Sequence, residues 1–241
     1  MFFGLYLALA RSSPDHRRSH TLYFAGGIGV AWLALESPLD WYSDNALQSV
    51  HMVQHILIGL IAPPLWLLGL SPRMAARVAS FGGLRGLAEP LPAQLLFAAV
   101  MIGWHVPAAY DLTLRSEAVH VIEHLTFMAG GALFWWPVVS STSEQLRWRL
   151  GPVAKVVYLI LGTVPQDTVS LVLIFSRAPF YEFYRAVPRS VSGISPLTDQ
   201  TLAGIALMAA GKLSYLVAMA KLFADWVARS RADDEVALVS G

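Results

Sequence analysis

Five histidines lie inside apolar segments of the chain, where an imidazole without a partner is energetically costly. His51 and His55 are four residues apart, and His120 and His124 repeat this spacing in a second segment. Residues at this spacing share one face of an α-helix. Since imidazole is a common ligand of copper, zinc, iron and haem, the two pairs and His105 in a third segment predict a metal or cofactor site.

The chain of 241 residues contains no cysteine. Thiolate metal ligands, disulfides and dithiol redox chemistry are therefore excluded, and the predicted site is built on imidazole. Met52 and Met101 lie near these histidines in sequence, and a thioether would favour cuprous copper, although methionine in an apolar helix usually serves packing. His16 and His20 lie in a basic loop and are expected to be ordinary surface residues.

Asp167, Lys212 and Glu123 are ionisable residues that lie well inside apolar segments. Asp167 and Lys212 have expected depths that agree within about 5 Å, so an ion pair between two helices is the favoured interpretation. A proton or ligand role for Asp167 is the alternative. Glu123 directly precedes His124 and so points about 100° away from it. It is therefore expected to orient an imidazole on a neighbouring helix.

The elements that must position these residues are apolar helices. The chain is 56% hydrophobic and 14% charged, with a mean hydropathy of +0.54, whereas an ordinary soluble domain is about a quarter charged. So few charges predict a protein embedded in the lipid bilayer, where a spanning helix needs about 20 residues. The apolar segments occupy residues 2–10, 21–36, 46–70, 93–109, 117–139, 153–176 and 200–224.

These segments predict an all-α, polytopic transmembrane helix bundle. Six segments are long enough to be full spans, whereas residues 2–10 form a short or truncated first helix. Residues 1–241 are expected to form a single transmembrane domain, in which 226–241 is a frayed cytoplasmic tail. Pro63 and Pro64 are expected to kink the third segment. The net charge of +1 gives no indication of nucleic acid binding.

Basic residues are concentrated in the loops of one side, which the positive-inside rule places in the cytoplasm together with the C-terminus. On this topology His55, His105 and His124 lie about 7–13 Å below the outer ends of their helices. Unrelated packing histidines would not agree in depth, so we predict one site near the extracytoplasmic face. The cytoplasmic set is Arg11, Arg17, Arg18, Arg73, Arg77, Arg85, Arg147, Arg149, Lys155, Lys221, Arg229 and Arg231, and the opposite set is Arg115, Arg177, Arg185 and Arg189.

Several linked motifs follow one another over about residues 5–220. They are Ser37-Pro38-Leu39-Asp40, His51-Met52-Val53-Gln54-His55 leading to Ala62-Pro63-Pro64-Leu65, Trp104-His105-Val106-Pro107 with Tyr110, and His120-x-x-Glu123-His124-x-x-Phe127 leading to Phe134-Trp135-Trp136-Pro137. This series resembles the CtaG family, the assembly factors of caa-type cytochrome c oxidase. The chain departs from the family at its N-terminus, where most of the first helix is missing.

The resemblance implies a seven-helix protein of the bacterial plasma (inner) membrane. Members of this family are assembly factors implicated in delivering copper to the oxidase. The implied partner is therefore a haem-copper oxidase subunit, and the implied cofactor is copper. The implied site residues are the five histidines and Asp167.

Three functions follow from these residues. The leading hypothesis is a non-enzymatic assembly factor that holds copper near the extracytoplasmic face and passes it to the oxidase. The second is a membrane zinc hydrolase in which three histidines hold the ion and Asp40, Asp44 or Asp167 activates water. The third is a haem-binding membrane cytochrome beside Gly130 and Gly131. Gathered imidazoles without a carboxylate would favour the carrier, and a carboxylate beside an open coordination position would favour the hydrolase.

Overall fold

The structure, a computed structural model, describes the backbone of residues 2–240 and the side chains of residues 3–188 and 191–231. Its described residues form helices and connecting loops without any strand, which confirms the predicted all-α class. The helices are α1 Phe2–Arg11, α2 Arg18–Leu35, α3 Pro38–Asn45, α4 Gln48–Ile56, α5 Ala62–Leu68, α6 Pro72–Ala79, α7 Leu84–Leu87, α8 Pro90–Trp104, α9 Pro107–Thr113, α10 Glu117–Val139, α11 Pro152–Phe175, α12 Glu182–Ala186, α13 Arg189–Ser192 and α14 Pro196–Ser240.

Three helical stretches have the length and apolar composition needed to cross a membrane, namely Gln48–Leu68, Pro152–Phe175 and Pro196–Arg231. Two bent pairs raise the number of candidate spans to five: α2 with α3, at 43°, and α8 with α9, at 78°. Helix α10 has 23 residues and is long enough to cross, but its glutamates and histidines reduce its apolar character. The described residues thus contain three to five candidate membrane spans, as in a membrane protein. The predicted number of six full spans stays a prediction.

The stretch from α4 to α5 lies at the centre of the bundle and contacts α2, α3, α10 and α14. A π-helical turn, Leu57–Ile61, joins the two helices at the predicted kink. Pro63 has no N–H to donate to the carbonyl four residues earlier, which belongs to Gly59. That carbonyl instead faces α10 at Gly131, where any Cβ atom would collide with it. The missing side chain of Gly131 therefore lets α10 approach the centre of the bundle closely.

Helices α11 and α14 pack against each other along the side of the bundle. Between them, Lys212 Nζ lies 2.8 and 2.7 Å from the two carboxylate oxygens of Asp167. The predicted interhelical ion pair is therefore present. Helix α14 continues to Ser240, so the backbone of most of the predicted tail is helical. The side chains of 232–240 and the whole of Gly241 lie outside the described residues, and the fraying of 226–241 stays a prediction.

Candidate metal centre

The first histidine pair projects from α4 towards the inside of the bundle. The Nε2 atoms of His51 and His55 are 2.8 Å apart, and both side chains are buried. The start of α4 is capped from α14, because the Asp199 carboxylate accepts the backbone N–H groups of Gln48 at 2.6 Å and Ser49 at 3.2 Å. An anionic group stabilises a helix N-terminus, so Asp199 fixes the turn that precedes the pair.

The second histidine pair projects from α10 and faces the first. The ring centroids of His51 and His120 are 5.4 Å apart, and those of His55 and His124 are 6.1 Å apart. Within α10 the centroids of His120 and His124 are separated by 4.1 Å. The two pairs therefore face each other, and their role as ligands of one ion stays a prediction.

His105 lies at the bend between α8 and α9, beside the two pairs. Its ring centroid is 5.6 Å from that of His55. Its Nδ1 atom lies 2.6 Å from the carbonyl oxygen of Met101, and its Nε2 atom lies 3.3 Å from the sulfur of Met52. Met52 thus contacts the cluster through its thioether, whereas Met101 contacts His105 through its backbone. His105 belongs to none of the described groups whose ligand atoms are close enough to share an ion.

Glu123 lies among the imidazoles. Its Oε2 atom is 3.8 Å from the Nε2 atoms of both His51 and His120, and its Oε1 atom is 3.5 Å from Nε2 of His55. Although Glu123 lies about 100° from His124 around α10, its carboxylate also faces the imidazoles of α4. It faces imidazoles of a neighbouring helix, as expected, and its distances also make it a candidate ligand.

A second carboxylate, that of Asp44, adjoins the cluster from α3. Its Oδ2 atom lies 3.2 Å from Nδ1 of His120. Helix α3 begins at a proline and is capped by Ser37, whose hydroxyl oxygen accepts the N–H of Leu39 at 3.1 Å. The sequence singled out Asp44 only as a possible base of a hydrolase, because its approach to His120 depends on the bend between α2 and α3.

The remaining acidic candidates have other partners. Asp40 accepts a hydrogen bond of 2.8 Å from the Gln54 side-chain amide, which also donates to the carbonyl of Ala34 at 2.9 Å. Gln54 therefore ties α4 to the bend that positions α3. Asp167 is engaged with Lys212 and lies in none of the three ligand groups.

Three groups in the described part of the chain have ligand atoms that all lie within 4.8 Å of one another. The N–N and N–O distances of 2.8 to 3.8 Å approach the separation of about 3–4 Å expected when ligands bind a common ion at about 2.0–2.1 Å. The groups are Asp44, His51 and His120; His51, His55 and Glu123; and His120, Glu123 and His124.

Several buried atoms of this cluster have no hydrogen-bond partner within the protein. An unpaired buried polar atom costs about 1–3 kcal/mol, so native proteins contain few of them. An ion bound beside Glu123 would satisfy its oxygens and the Nε2 atoms of His120 and His124, whereas the Nδ1 atoms of His51 and His55 belong to rings whose Nε2 atoms face Glu123. The mixture of imidazole and carboxylate suits cupric copper or zinc better than cuprous copper. The atoms are His51 Nδ1, His55 Nδ1, His120 Nε2, His124 Nε2 and both carboxylate oxygens of Glu123.

Three tyrosines cover the cluster on the side of α9 and α12. The ring of Tyr110 stacks on Tyr181 with centroids 3.8 Å apart. The Tyr181 hydroxyl donates to the carbonyl of His105 at 3.0 Å, and the Tyr184 hydroxyl donates to the carbonyl of Ser43. Sequence reasoning missed Tyr181 and Tyr184, since they lie in the connection between α11 and α14, where no helical pattern indicates a role.

The space beside the two glycines that suggested a haem slot is filled by neighbouring helices. A Cβ atom at Gly131 would clash with the backbone carbonyl of Gly59, and one at Gly130 would lie 3.6 Å from the side chain of Val100. There is accordingly no room beside these glycines for a flat macrocycle.

Comparison with known proteins identifies the family. The family model of the cytochrome c oxidase caa3 assembly factor, Caa3_CtaG, matches residues 1–229, which include every residue of the cluster. No curated protein and no solved structure matches the chain. The resemblance found in the sequence motifs is therefore confirmed, and the chain belongs to the cytochrome c oxidase caa3 assembly factor family.

Proposed function

We propose that this protein binds a copper ion in the histidine cluster and passes it to a haem-copper oxidase subunit during assembly of the oxidase. One observation carries the proposal, namely the set of buried imidazole and carboxylate atoms that have no partner within the protein. Two of the three ligand groups combine Glu123 with a pair of imidazoles, and within each group the ligand atoms all lie within 4.8 Å of one another. Membership of the oxidase assembly family supports copper as the cargo.

The donor set suits transfer as well as binding. Imidazole and carboxylate bind cupric ions less tenaciously than thiolates bind soft metals, so an ion held here can be released to a stronger site. The three ligand groups overlap, which gives the ion alternative ligands while it leaves. The protein itself supplies binding and orientation and needs no catalytic group for this role.

The decisive experiment is metal analysis of protein purified without a histidine tag. After exposure to equal copper and zinc, the wild-type protein is expected to retain copper, and His55→Ala and His124→Ala are expected to lose it while remaining inserted in the membrane. His16→Ala and His20→Ala are matched controls outside the cluster, and they should retain copper. Equal copper in the wild-type protein and in His55→Ala would refute the proposal.

We also propose that the cluster faces the extracytoplasmic side and that the C-terminus is cytoplasmic, in the plasma membrane. The asymmetric distribution of Arg and Lys supports this orientation. Because the chain has no cysteine, single cysteines at positions 40 and 73 can be labelled without background. An impermeant reagent added to the outside should label position 40 alone, and the opposite pattern would reverse the orientation.

A zinc hydrolase is the second candidate, because Glu123 and Asp44 place carboxylates at the imidazoles. From the sequence, a carboxylate beside an open coordination position is the arrangement expected for a hydrolase. A hydrolase also needs a substrate cavity at the metal, whereas the side chains of His51, His55 and Glu123 are completely buried. Retention of zinc in preference to copper, together with hydrolysis that depends on Glu123, would favour this second function.

A further inference from the structure

The members of the cluster differ sharply in their access to the surface. The side chain of Asp44 is 30% exposed and that of His120 is 10% exposed, whereas those of His51, His55 and Glu123 are 0% exposed. Asp44 is thus the most exposed ligand of the cluster, since His120 and His124 are each only 8% exposed as whole residues. An ion that arrives beside Asp44 meets His120 before it meets the fully buried ligands.

His120 connects Asp44 with the interior. Its Nδ1 atom lies 3.2 Å from Asp44, and its Nε2 atom lies 3.8 Å from Glu123. Either nitrogen of an imidazole can bind a metal ion. The same ring can thus serve an ion beside Asp44 through one nitrogen and an ion inside through the other.

His51 is also shared, since it belongs to the group with Asp44 and His120 and to the group with His55 and Glu123. An ion moving between the two groups can keep His51 as a ligand throughout. It exchanges the carboxylate of Asp44 for that of Glu123 and the imidazole of His120 for that of His55, and no oxidation state changes. Passage in this way avoids a bare ion in a buried, low-dielectric environment.

We infer that the cluster gives the copper ion two successive positions, an outer one at Asp44, His51 and His120 and an inner one at His51, His55 and Glu123. This inference rests on the proposed function. Copper is captured at the outer position and stored at the inner one, and it leaves by the reverse path. Asp44 therefore controls the rates of uptake and release, while Glu123 controls the affinity.

The test is stopped-flow copper uptake and chelator-driven release by the full chain in lipid nanodiscs, together with equilibrium titration. Asp44→Asn is expected to slow uptake and release by the same factor, about tenfold, because an exposed carboxylate concentrates cations. Its equilibrium affinity should stay near that of the wild type. Glu123→Gln should weaken the affinity by more than about tenfold, since loss of groups that merely support a metal site costs 10–100-fold.

Two further variants serve as controls. Glu117→Gln removes an exposed carboxylate from the same end of α10 and should change neither rate nor affinity. Asp44→Glu restores the carboxylate and should recover most of the uptake rate, which a merely misfolded Asp44 variant would not allow.

Three results would overturn the inference. Unchanged rates in Asp44→Asn would show that this carboxylate is not on the path, and a loss of affinity equal to that of Glu123→Gln would show a single position. In both cases copper still binds and the proposed function survives. A wild-type protein that takes up no copper would overturn the proposed function and this inference together.

Discussion

Two regions of the molecule place ionisable groups between helices, and these groups are satisfied in opposite ways. In the pair of α11 and α14, Lys212 contacts both carboxylate oxygens of Asp167, at 2.7 and 2.8 Å. In the cluster of α4 and α10, imidazole nitrogens and both oxygens of Glu123 find no hydrogen-bond partner within the protein. The charges of the pair are satisfied internally, whereas the cluster needs a ligand from outside.

Whether a polar group has a partner within the protein helps to distinguish structural from functional polar groups inside a membrane protein. An ion pair that neutralises itself holds two helices in register and leaves nothing for a ligand to bind. A set of unpaired acceptors is retained only when something else satisfies it. The comparison therefore favours a structural role for Asp167 and Lys212 and supports the proposed binding role of the histidines, although both groups have the same kind of sequence signal.

The largest expected effect is the loss of copper-dependent stabilisation in the cluster. A ligand present at 100 times its Kd stabilises the folded protein by about 2.7 kcal/mol. Saturating copper should therefore raise the unfolding midpoint of the wild type and of Asp167→Ala, but not that of His55→Ala. Thermal unfolding in nanodiscs with and without copper measures this. If copper raised the unfolding midpoint of His55→Ala but not that of Asp167→Ala, the ion would bind at the Asp167 pair and not at the histidine cluster.

The next effect concerns stability without metal. Asp167→Ala leaves Lys212 as an uncompensated charge between helices and should destabilise the protein by about 2 kcal/mol, less than for a fully buried pair because both side chains are partly exposed. The double variant Asp167→Asn, Lys212→Met should recover most of this loss because no charge remains. His55→Ala removes a buried ring that contacts His51, so it should also destabilise the protein, but it leaves no uncompensated charge and no second substitution of the pair is expected to restore it. Equal damage in the single and double variants would show that the pair does not stabilise the fold.

The histidines of the site could be predicted from sequence because their signal is local. The i,i+4 spacing fixes the shared face of each pair, and the order of apolar segments fixes the depth. The position of Asp44 could not be predicted in this way, since it depends on the bend between α2 and α3. Asp199 was missed for a similar reason, because it caps α4 from a helix 150 residues later in the chain.

The membrane character of the fold follows from composition, but the number of spans does not. Helix α10 carries two histidines and two glutamates, and these polar residues, three of which are proposed ligands, reduce its apolar character. Helices α8 and α9 meet at 78°, so length alone does not show whether they form one span. The same residues therefore support the prediction of a binding site and weaken the prediction of a membrane span.

A smaller effect is expected at Asp199, on the helix that also carries Lys212. Asp199→Ala removes the cap of α4 and should lower stability by about 1–2 kcal/mol. Because the cap lies one turn before His51, copper affinity should also fall, in contrast to the Asp167 variants. Asp199→Asn retains an acceptor and should lie between the wild type and Asp199→Ala. Unfolding and copper titration on the three proteins measure this, and unchanged copper affinity would show that the cap stabilises the fold alone.

The smallest effect is expected at Tyr181. This residue adjoins the cluster, but its polar group has a partner within the protein, as the groups of the ion pair do. Its hydroxyl donates to the carbonyl of His105 at 3.0 Å, and its ring stacks on Tyr110. Tyr181→Phe keeps the stacking and loses one hydrogen bond, so stability should fall by about 0.5–1.5 kcal/mol. Copper affinity should hardly change, because the phenol has a partner in the protein and needs no ion. If Tyr181→Phe abolished copper binding, a polar group with a hydrogen-bond partner in the protein would also be needed for binding. The presence of such a partner would then not distinguish structural groups from binding groups at this site.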